Sequence, residues 1–99
     1  MPSPLAISNA KDGDGKNGVQ SLEIGMTIMR AISGGHRAMM LKDIAAAADM
    51  PASKVHRYIV SLVRSGLVEQ DQMSSRYDLG PFALSLGLVA VDRLDRIKL

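Results

Sequence analysis

A segment in the middle of the chain carries side chains suited to binding an acidic partner. Residues 52–65 read ASKVHRYIVSLVRS, and at about 100° per residue Val55, Ile59, Leu62 and Val63 fall on one side of a helix. The other side carries cationic and hydroxyl side chains: Lys54, Arg57, Tyr58, Ser61, Arg64 and Ser65. This face has three cations and no carboxylate. Because a solvated helix surface usually mixes both signs of charge, a face of one sign predicts an anionic partner.

The preceding segment predicts a shorter helix and a sharp turn. Four apolar residues repeat at the i, i+3, i+4, i+7 spacing of a helix face: Leu41, Ile44, Ala45 and Ala48. Pro51 disfavours helical geometry at Met50 and suits the first turn of the helix that follows. Asp49 can adopt the left-handed conformation that such a turn often needs. Two helices joined in this way form a helix-turn-helix, whose second helix enters the major groove of DNA.

Two further elements should support this pair of helices. We expect a helix from about Ser21 to Ser33, capped by Ser21 and ended by Gly34-Gly35. Its inward stripe would consist of Leu22, Met26, Met29 and Ile32, broadened by Ile28. Residues 38–40 could form a short strand.

A β-hairpin is predicted directly after the cationic helix, which Gly66 should end. Residues 67–70 and 76–79 are strand candidates, and they flank the polar loop 71–75. Such a hairpin is the wing of a winged helix-turn-helix, in which Ser74, Ser75 and Arg76 would contact phosphates. A purely solvent-exposed hairpin fits the sequence nearly as well, because Glu69, Asp71 and Asp78 would be badly placed facing phosphates.

Several segments in this order resemble the N-terminal winged helix-turn-helix domain of IclR-family transcriptional regulators. They are VQSLEIGMTIMRAI (19–32), LKDIAAAADMPASKVHRYI (41–59), SGLVEQ (65–70) and YDLGPFALSLG (77–87). The most specific piece is Pro51-Ala52-Ser53 leading to His56-Arg57. The resemblance implies a DNA-binding homodimer whose last helix links to a ligand-sensing domain with a GAF-like fold. That domain is missing here, so the chain is interpreted as a fragment, and a small-molecule effector would act only through the missing part. The family commonly has glycine in the wing loop and arginine at the position of Asp78, so we expect a weaker wing contact than usual.

The last predicted helix, from Gly80-Pro81 to about Ile97, is apolar nearly all round. Leu84, Leu88 and Val91 form one stripe, and Phe82, Leu86 and Val89 form a second. A third stripe has almost no side-chain bulk: Ala83, Gly87 and Ala90. Such a helix must be buried on two sides. We expect one side to pack on its own domain and the other on a second copy, with a dimer interface formed by Leu84, Leu88, Val91, Ala83, Gly87 and Ala90.

Length and composition limit the remaining possibilities. The 99 residues suffice for one small domain, the net charge of +2 is mild, and cysteine is absent, which excludes disulfides and thiolate metal sites. The longest apolar run, around residues 82–91, is far shorter than the roughly 20 residues that span a bilayer. We therefore expect a soluble, cytoplasmic protein without membrane contact. Residues 1–18 should be a disordered tail, 19–80 the DNA-binding domain and 81–99 the linker and dimerisation helix.

The sequence thus predicts a mostly α-helical protein with a small hairpin wing that binds double-stranded DNA. The predicted DNA contacts are Ala52, Ser53, Lys54, Arg57, Tyr58, Ser61, Arg64, Ser75 and Arg76. Arg57 would read a base edge, the first-turn N–H groups at 52 and 53 would hold a phosphate, and the operator of a two-fold dimer would be nearly palindromic. We expect no enzyme, cofactor or metal site, since there is no cysteine nucleophile, glycine-rich phosphate loop or histidine pair at ligand spacing. The alternative is a winged helix that serves as a protein-interaction or dimerisation module without binding DNA.

Overall fold

The computed structural model describes residues 17–98, with side chains described for residues 17–94. The elements run in the order α1 (Gln20–Ser33), α2 (Leu41–Ala48), α3 (Ala52–Arg64), β1 (Val68–Gln70), β2 (Tyr77–Leu79) and α4 (Pro81–Lys98). This is the winged helix-turn-helix predicted from the sequence, with α3 as the recognition helix and the β1–β2 hairpin as the wing. The predicted disordered tail lies outside the described residues, except for its last two positions.

The core lies where the first three helices and the wing meet. It consists of Ile28, Ile32, Ile44, Ala45, Val55, Ile59, Leu62, Val68 and Tyr77. Each fully buried Ile or Val side chain stabilises the fold by roughly 1.5–3 kcal/mol. The core is therefore the scaffold that fixes the orientation of α3. The inward face predicted for α2 is confirmed, and so are Val55, Ile59 and Leu62 of α3. Val63, predicted on the same face, is 39% exposed because it lies at the edge of the stripe, on the flank beside the wing.

The predicted inward face of α1 is partly wrong. Leu22 is 61% exposed, whereas Gly25, Ile28 and Ile32 are buried. The helix also begins one residue earlier than predicted, because Val19 is the N-cap and makes no side-chain capping bond. The N–H groups of Leu22 and Glu23 donate to the Val19 carbonyl at 3.1 and 3.2 Å. Ser21 therefore lies inside the first turn and is not the cap.

The turn between α2 and α3 has the predicted left-handed residue. Asp49 has φ 57° and ψ 49°, the N–H of Asp49 donates to Ala46 O at 3.2 Å, and the N–H of Met50 donates to Ala45 O at 3.0 Å. These two bonds form a Schellman cap, which satisfies carbonyls left unpaired at the helix end. Pro51 has φ −63° and ψ 145° and is the N-cap of α3, so the helix begins at Ala52 and not at the proline.

The wing is a short antiparallel hairpin. Val68 pairs with Leu79, Glu69 with Asp78 and Gln70 with Tyr77, so both strands are one residue shorter than predicted. The strand predicted at residues 38–40 reduces to one bridge, in which Met39 and Tyr77 exchange backbone hydrogen bonds of 2.9 and 2.8 Å. This bridge ties the wing to the connection between α1 and α2.

Helix α4 leaves the domain after its first turn. Ala83 is half-buried, but all described side chains from residue 84 to 94 are exposed, with Leu84 at 64% and Leu88 at 61%. The prediction that one side of α4 packs on its own domain is therefore wrong beyond the first turn. The N–H groups of Gly80 and Phe82 donate to the carbonyls of Leu67 and Gly66, both at 2.9 Å, and this fixes the start of α4 at the edge of the core.

Candidate nucleic-acid interface

The recognition helix turns its polar face outward because its apolar face is held in the core. Val55, Ile59 and Leu62 are at most 7% exposed. The residues opposite them are therefore directed to solvent. Of the predicted contacts on α3, Ala52, Ser53, Arg57, Ser61 and Arg64 are exposed, and Lys54 and Tyr58 are half-buried.

No described carboxylate neutralises the positive charge of this face. Helix α3 contains no carboxylate. Within the part of the chain that the structure describes, Lys54, Arg57 and Arg64 form no ion pair or side-chain hydrogen bond. Three unpaired cations on one face attract a polyanion. No ion pair among the described residues has to be broken before they bind it. Arg64 lies in the last turn of α3, where its positive charge also interacts favourably with the negative end of the helix dipole.

The two flanks of α3 differ in what they contact. On one flank, Arg57, Tyr58 and Ser61 form a shallow groove with Ser21 of α1. The Tyr58 ring lies over Gly25, where a Cβ atom would be 4.0 Å from the ring carbon Cδ1. A Cβ at that distance would make only ordinary van der Waals contact, so the tyrosine ring lies close to α1 without requiring glycine there.

The opposite flank of α3 faces the wing. His56, Val60, Arg64 and Gln70 line this side, together with Ile59, Val63 and Tyr77. His56 is exposed. Among the described residues, no group of three His, Cys, Asp or Glu side chains is placed to hold a metal ion.

The wing loop is ordered by its own polar groups. The Asp71 carboxylate accepts the N–H of Ser74 at 2.7 Å, and the Asp71 carbonyl accepts the N–H of Ser75 at 2.8 Å. The bond from the Ser74 N–H is the main reason that the pKa of Asp71 lies below its ordinary value of 3.8. Asp78 accepts the N–H of Leu79 at 2.8 Å. These two carboxylates therefore order the wing backbone. A hydrogen bond from a neutral N–H group does not cancel the charge of a carboxylate, so the expectation of a weak wing contact with phosphates stands.

The two wing residues predicted to contact DNA lie side by side at the end of the loop. Ser75 is exposed, with φ 65°, and Arg76 is half-buried. A left-handed conformation at Ser75 is consistent with the expectation that related chains place glycine in this loop, since glycine adopts it without steric cost.

The structure also adds residues that the sequence did not predict for this surface. Ser21 was interpreted as a helix cap, but it lies beside the recognition helix. Gln70 lies at the wing flank, where its side-chain amide donates to Ser75 O at 3.1 Å. No spacing in the sequence indicates either position, because both depend on how separate elements pack.

Comparison with known proteins identifies the domain. Residues 21–72, more than half of the chain, match the IclR helix-turn-helix domain. The glycerol operon regulatory protein of Streptomyces coelicolor is 38% identical over 74 residues, which are 75% of this chain and 29% of that protein.

Solved structures agree with this match. HmgR of Pseudomonas aeruginosa has 43% identity and a TM-score of 0.72, over 75% of this chain and 30% of that one. An IclR family transcriptional regulator from Brucella abortus has 26% identity and a TM-score of 0.67, over 89% of this chain and 34% of that one. The chain thus spans about a third or less of the length of these relatives. Because the matched family is one of regulators, the prediction that the chain is not an enzyme is confirmed. From its sequence match and its fold together, the chain belongs to the IclR family of transcriptional regulators, whose helix-turn-helix domain it carries.

Proposed function

We propose that this chain is the operator-binding part of a transcriptional regulator, and that α3 of each subunit of a homodimer enters the major groove of a nearly palindromic site. The observation that carries the proposal is the outward face of α3, where three cations are unpaired within the described residues and no carboxylate is present. Phosphate neutralisation would supply most of the affinity, and base edges would supply the sequence preference.

The predicted contacts have different roles in this proposal. Arg57, exposed near the middle of α3, reads a base edge, with guanine as the favoured partner because its O6 and N7 accept both ends of a guanidinium. Ala52 and Ser53 present first-turn N–H groups to a phosphate. Lys54, Tyr58 and Ser61 lie beside Arg57, Arg64 contacts the backbone farther along the helix, and Ser75 and Arg76 of the wing contact phosphates.

The homodimer is supported by the surface of α4. Seven large apolar residues of this helix are each at least 47% exposed: Phe82, Leu84, Leu86, Leu88, Val89, Val91 and Leu94. A contiguous apolar surface of this kind marks an interaction site. A groove between the wing and α4 runs along Ala83 and Gly87 of the small-residue stripe. It is mostly apolar, with one carboxylate at the wing end, and its lining residues are Asp78, Leu79, Gly80, Ala83, Leu84, Gly87, Leu88 and Val91.

We infer that a second copy of α4 fills this groove. The backbone could approach closely at Gly87, where an added Cβ would meet nothing within 4 Å. A two-fold pair of chains would then place two recognition helices about one helical turn of DNA apart.

The regulatory context is inferred from the relatives. Two of them are regulators of a glycerol operon, so control of an operon is proposed here too. A small-molecule effector would act through a sensing domain outside this chain. None of the described helices combines the length and apolar composition that crossing a bilayer requires, and we expect the protein to meet its DNA in the cytoplasm.

The DNA-binding proposal is tested by selecting bound fragments from random genomic DNA and then measuring affinity against salt. We expect a recovered near-palindrome and a log–log salt slope of several units, because each neutralised phosphate contributes about −0.9. Arg30→Ala, which changes an exposed arginine on α1, is the matched control and should preserve operator preference. No enrichment, together with a shallow slope, would favour the protein-interaction alternative.

The dimer is tested separately by sedimentation equilibrium. Leu88→Lys should give a monomer with weakened operator binding, because it places a charge in the apolar groove. Ser85→Lys, at an exposed position of the same helix outside that groove, should remain a dimer. A wild-type monomer that still binds a full palindrome tightly would contradict the proposed assembly.

A further inference from the structure

The groove between α1 and α3 is lined only by side chains that can donate hydrogen bonds. Ser21 comes from α1, and Arg57, Tyr58 and Ser61 come from α3. Its lining, as described, holds no carboxylate, and the ring of Tyr58 gives it an apolar part. The three hydroxyl residues also border a neighbouring groove, together with Leu22, Met26, Leu62 and Leu67. The groove is therefore suited to a ligand that only accepts hydrogen bonds and carries negative charge.

The three hydroxyl groups of this groove have no hydrogen-bond partner among residues 17–94. Within the part of the chain that the structure describes, no hydrogen bond engages the side chains of Ser21, Tyr58 or Ser61. Neighbouring hydroxyls behave differently: Ser65 Oγ donates to Ser61 O at 2.8 Å, and Ser33 Oγ donates to Arg30 O at 3.3 Å. Ser65, on the predicted polar face, is therefore already satisfied, while the groove residues are not.

Helix geometry orders the groove from α1 outward. Tyr58 lies on the α1 flank, because its ring contacts the helix at Gly25. At about 100° per residue, Ser61 is next around α3 and Arg57 is farthest from α1. The hydroxyls thus cluster near α1, and the guanidinium lies at the outer edge, where a base of the same duplex would be reached.

We propose that Ser21, Tyr58 and Ser61 together hold one phosphodiester of the DNA backbone. Phosphate oxygens only accept, so all three hydroxyls donate, and α1 becomes part of the DNA interface. This inference rests on the proposed function and adds a neutral positioning site to it: the held phosphate sets the depth and tilt of α3, while Arg57 remains free to reach a base edge.

Single substitutions distinguish binding through these hydroxyls from general electrostatic attraction to DNA. Ser21→Ala, Tyr58→Phe and Ser61→Ala should each weaken operator binding about tenfold, the usual effect of losing one hydrogen bond to a charged group. Their salt slopes should match wild type, since no charge is removed, whereas Arg64→Ala, which removes a cation proposed to contact the backbone, should reduce the slope by about one. Tyr58→Phe keeps the ring packing on Gly25, so its effect reports the hydroxyl alone.

Two control variants carry hydroxyls that already bond to their own helix. Ser33→Ala in α1 and Ser65→Ala in α3 should bind the operator like wild type. If these controls lose as much affinity as Ser21→Ala and Ser61→Ala, the groove has no special role and the inference is overturned. Melting temperatures of all variants, measured without DNA, confirm that each one is folded.

A phosphate-neutralisation scan then locates the contact. Operators carrying one methylphosphonate at a time should include one position per half-site that weakens binding of wild type more than binding of Ser21→Ala, which keeps only two of the three donors. If wild type binds the operator but no position shows this coupling, the inference fails while the proposed function stands. If wild type fails to bind any operator, both fail.

A last measurement distinguishes DNA from free phosphate. At matched ionic strength, adding inorganic phosphate should change the melting temperature of wild type by no more than it changes that of Ser21→Ala. A saturable rise that occurs only in wild type would show a site for small phosphates and would overturn the assignment to DNA.

Discussion

Gly80 lies where the wing ends and α4 begins, against the turn that follows α3. It is buried, and its N–H donates to Leu67 O at 2.9 Å. A Cβ atom at this position would lie 2.5 Å from the carbonyl oxygen of Gly66 and 3.0 Å from both N and C of Val68. All three atoms belong to the backbone, so no side-chain rotation can relieve the contact. Gly80→Ala should therefore force the two chain segments apart.

The cost of Gly80→Ala follows from that displacement. Overpacking costs about 1–3 kcal/mol. Stretching the hydrogen bonds from Gly80 to Leu67 and from Phe82 to Gly66 adds about 0.5–1.5 kcal/mol for each one lost. We expect a total of about 2–4 kcal/mol in the free energy of unfolding. For a domain of this size, a loss of about 3 kcal/mol lowers Tm by roughly 10–25 °C.

The assay is thermal unfolding followed by circular dichroism, at one protein concentration low enough that the chain is monomeric. Gly87→Ala is the control, because its added Cβ meets nothing within 4 Å and alanine favours a helix interior by up to about 1 kcal/mol over glycine. Its Tm should equal or exceed that of wild type. A Gly80→Ala protein that melts within a few degrees of wild type would refute the packing argument, as would a Gly87→Ala protein that melts well below it.

Three further predictions address the recognition helix, the caps and the wing. Arg57→Ala should weaken binding to the selected operator by about 1–3 kcal/mol in anisotropy titrations, and unchanged binding would remove Arg57 from base reading. Gly66→Ala should lower Tm because the φ of Gly66 is 81°, where a Cβ atom is strained. Asp49→Gly should preserve or raise Tm because glycine adopts a φ of 57° without a Cβ penalty. A higher Tm for Gly66→Ala than for Asp49→Gly would contradict the two left-handed caps. The lowered pKa of Asp71 means that its stabilisation of the wing loop is complete above 3.8 and is lost as pH falls through the lower folded-state value. The Ser74 amide shift, followed by NMR, should move in that acid range in wild type and not in Asp71→Ala; a pH-independent shift in wild type would disprove the contact.

Local chemistry made much of the fold predictable. The apolar spacing in α2 and α3 indicated their buried faces, and the Asp49-Met50-Pro51 sequence indicated the turn between them. Gly66 was placed correctly at the end of α3, where its φ is 81°. These features depend on side chains within a few residues of one another, so the sequence carries them directly.

The buried face of α1 shows where local reasoning ends. Apolar residues occur nearly all round this helix, and a 3.6-residue period allows more than one inward stripe. Contact with α3 selects the stripe: Tyr58 lies over Gly25, Ile28 is fully buried and Leu22 is left 61% exposed. Nothing in the local sequence around Gly25 indicates that this position faces the ring of Tyr58.

The sequence by itself determined the helix-turn-helix, the wing, the cationic face of α3 and the family, because each of these rests on residue types at short, regular spacing. Tertiary structure alone decided that Ser21 lies beside Tyr58 and Ser61, and that α4 is exposed beyond its first turn. The physical reason is that such contacts join residues far apart in the chain. The packing of whole helices decides which of these contacts form, and the hydrophobic periodicity of the sequence does not specify that packing.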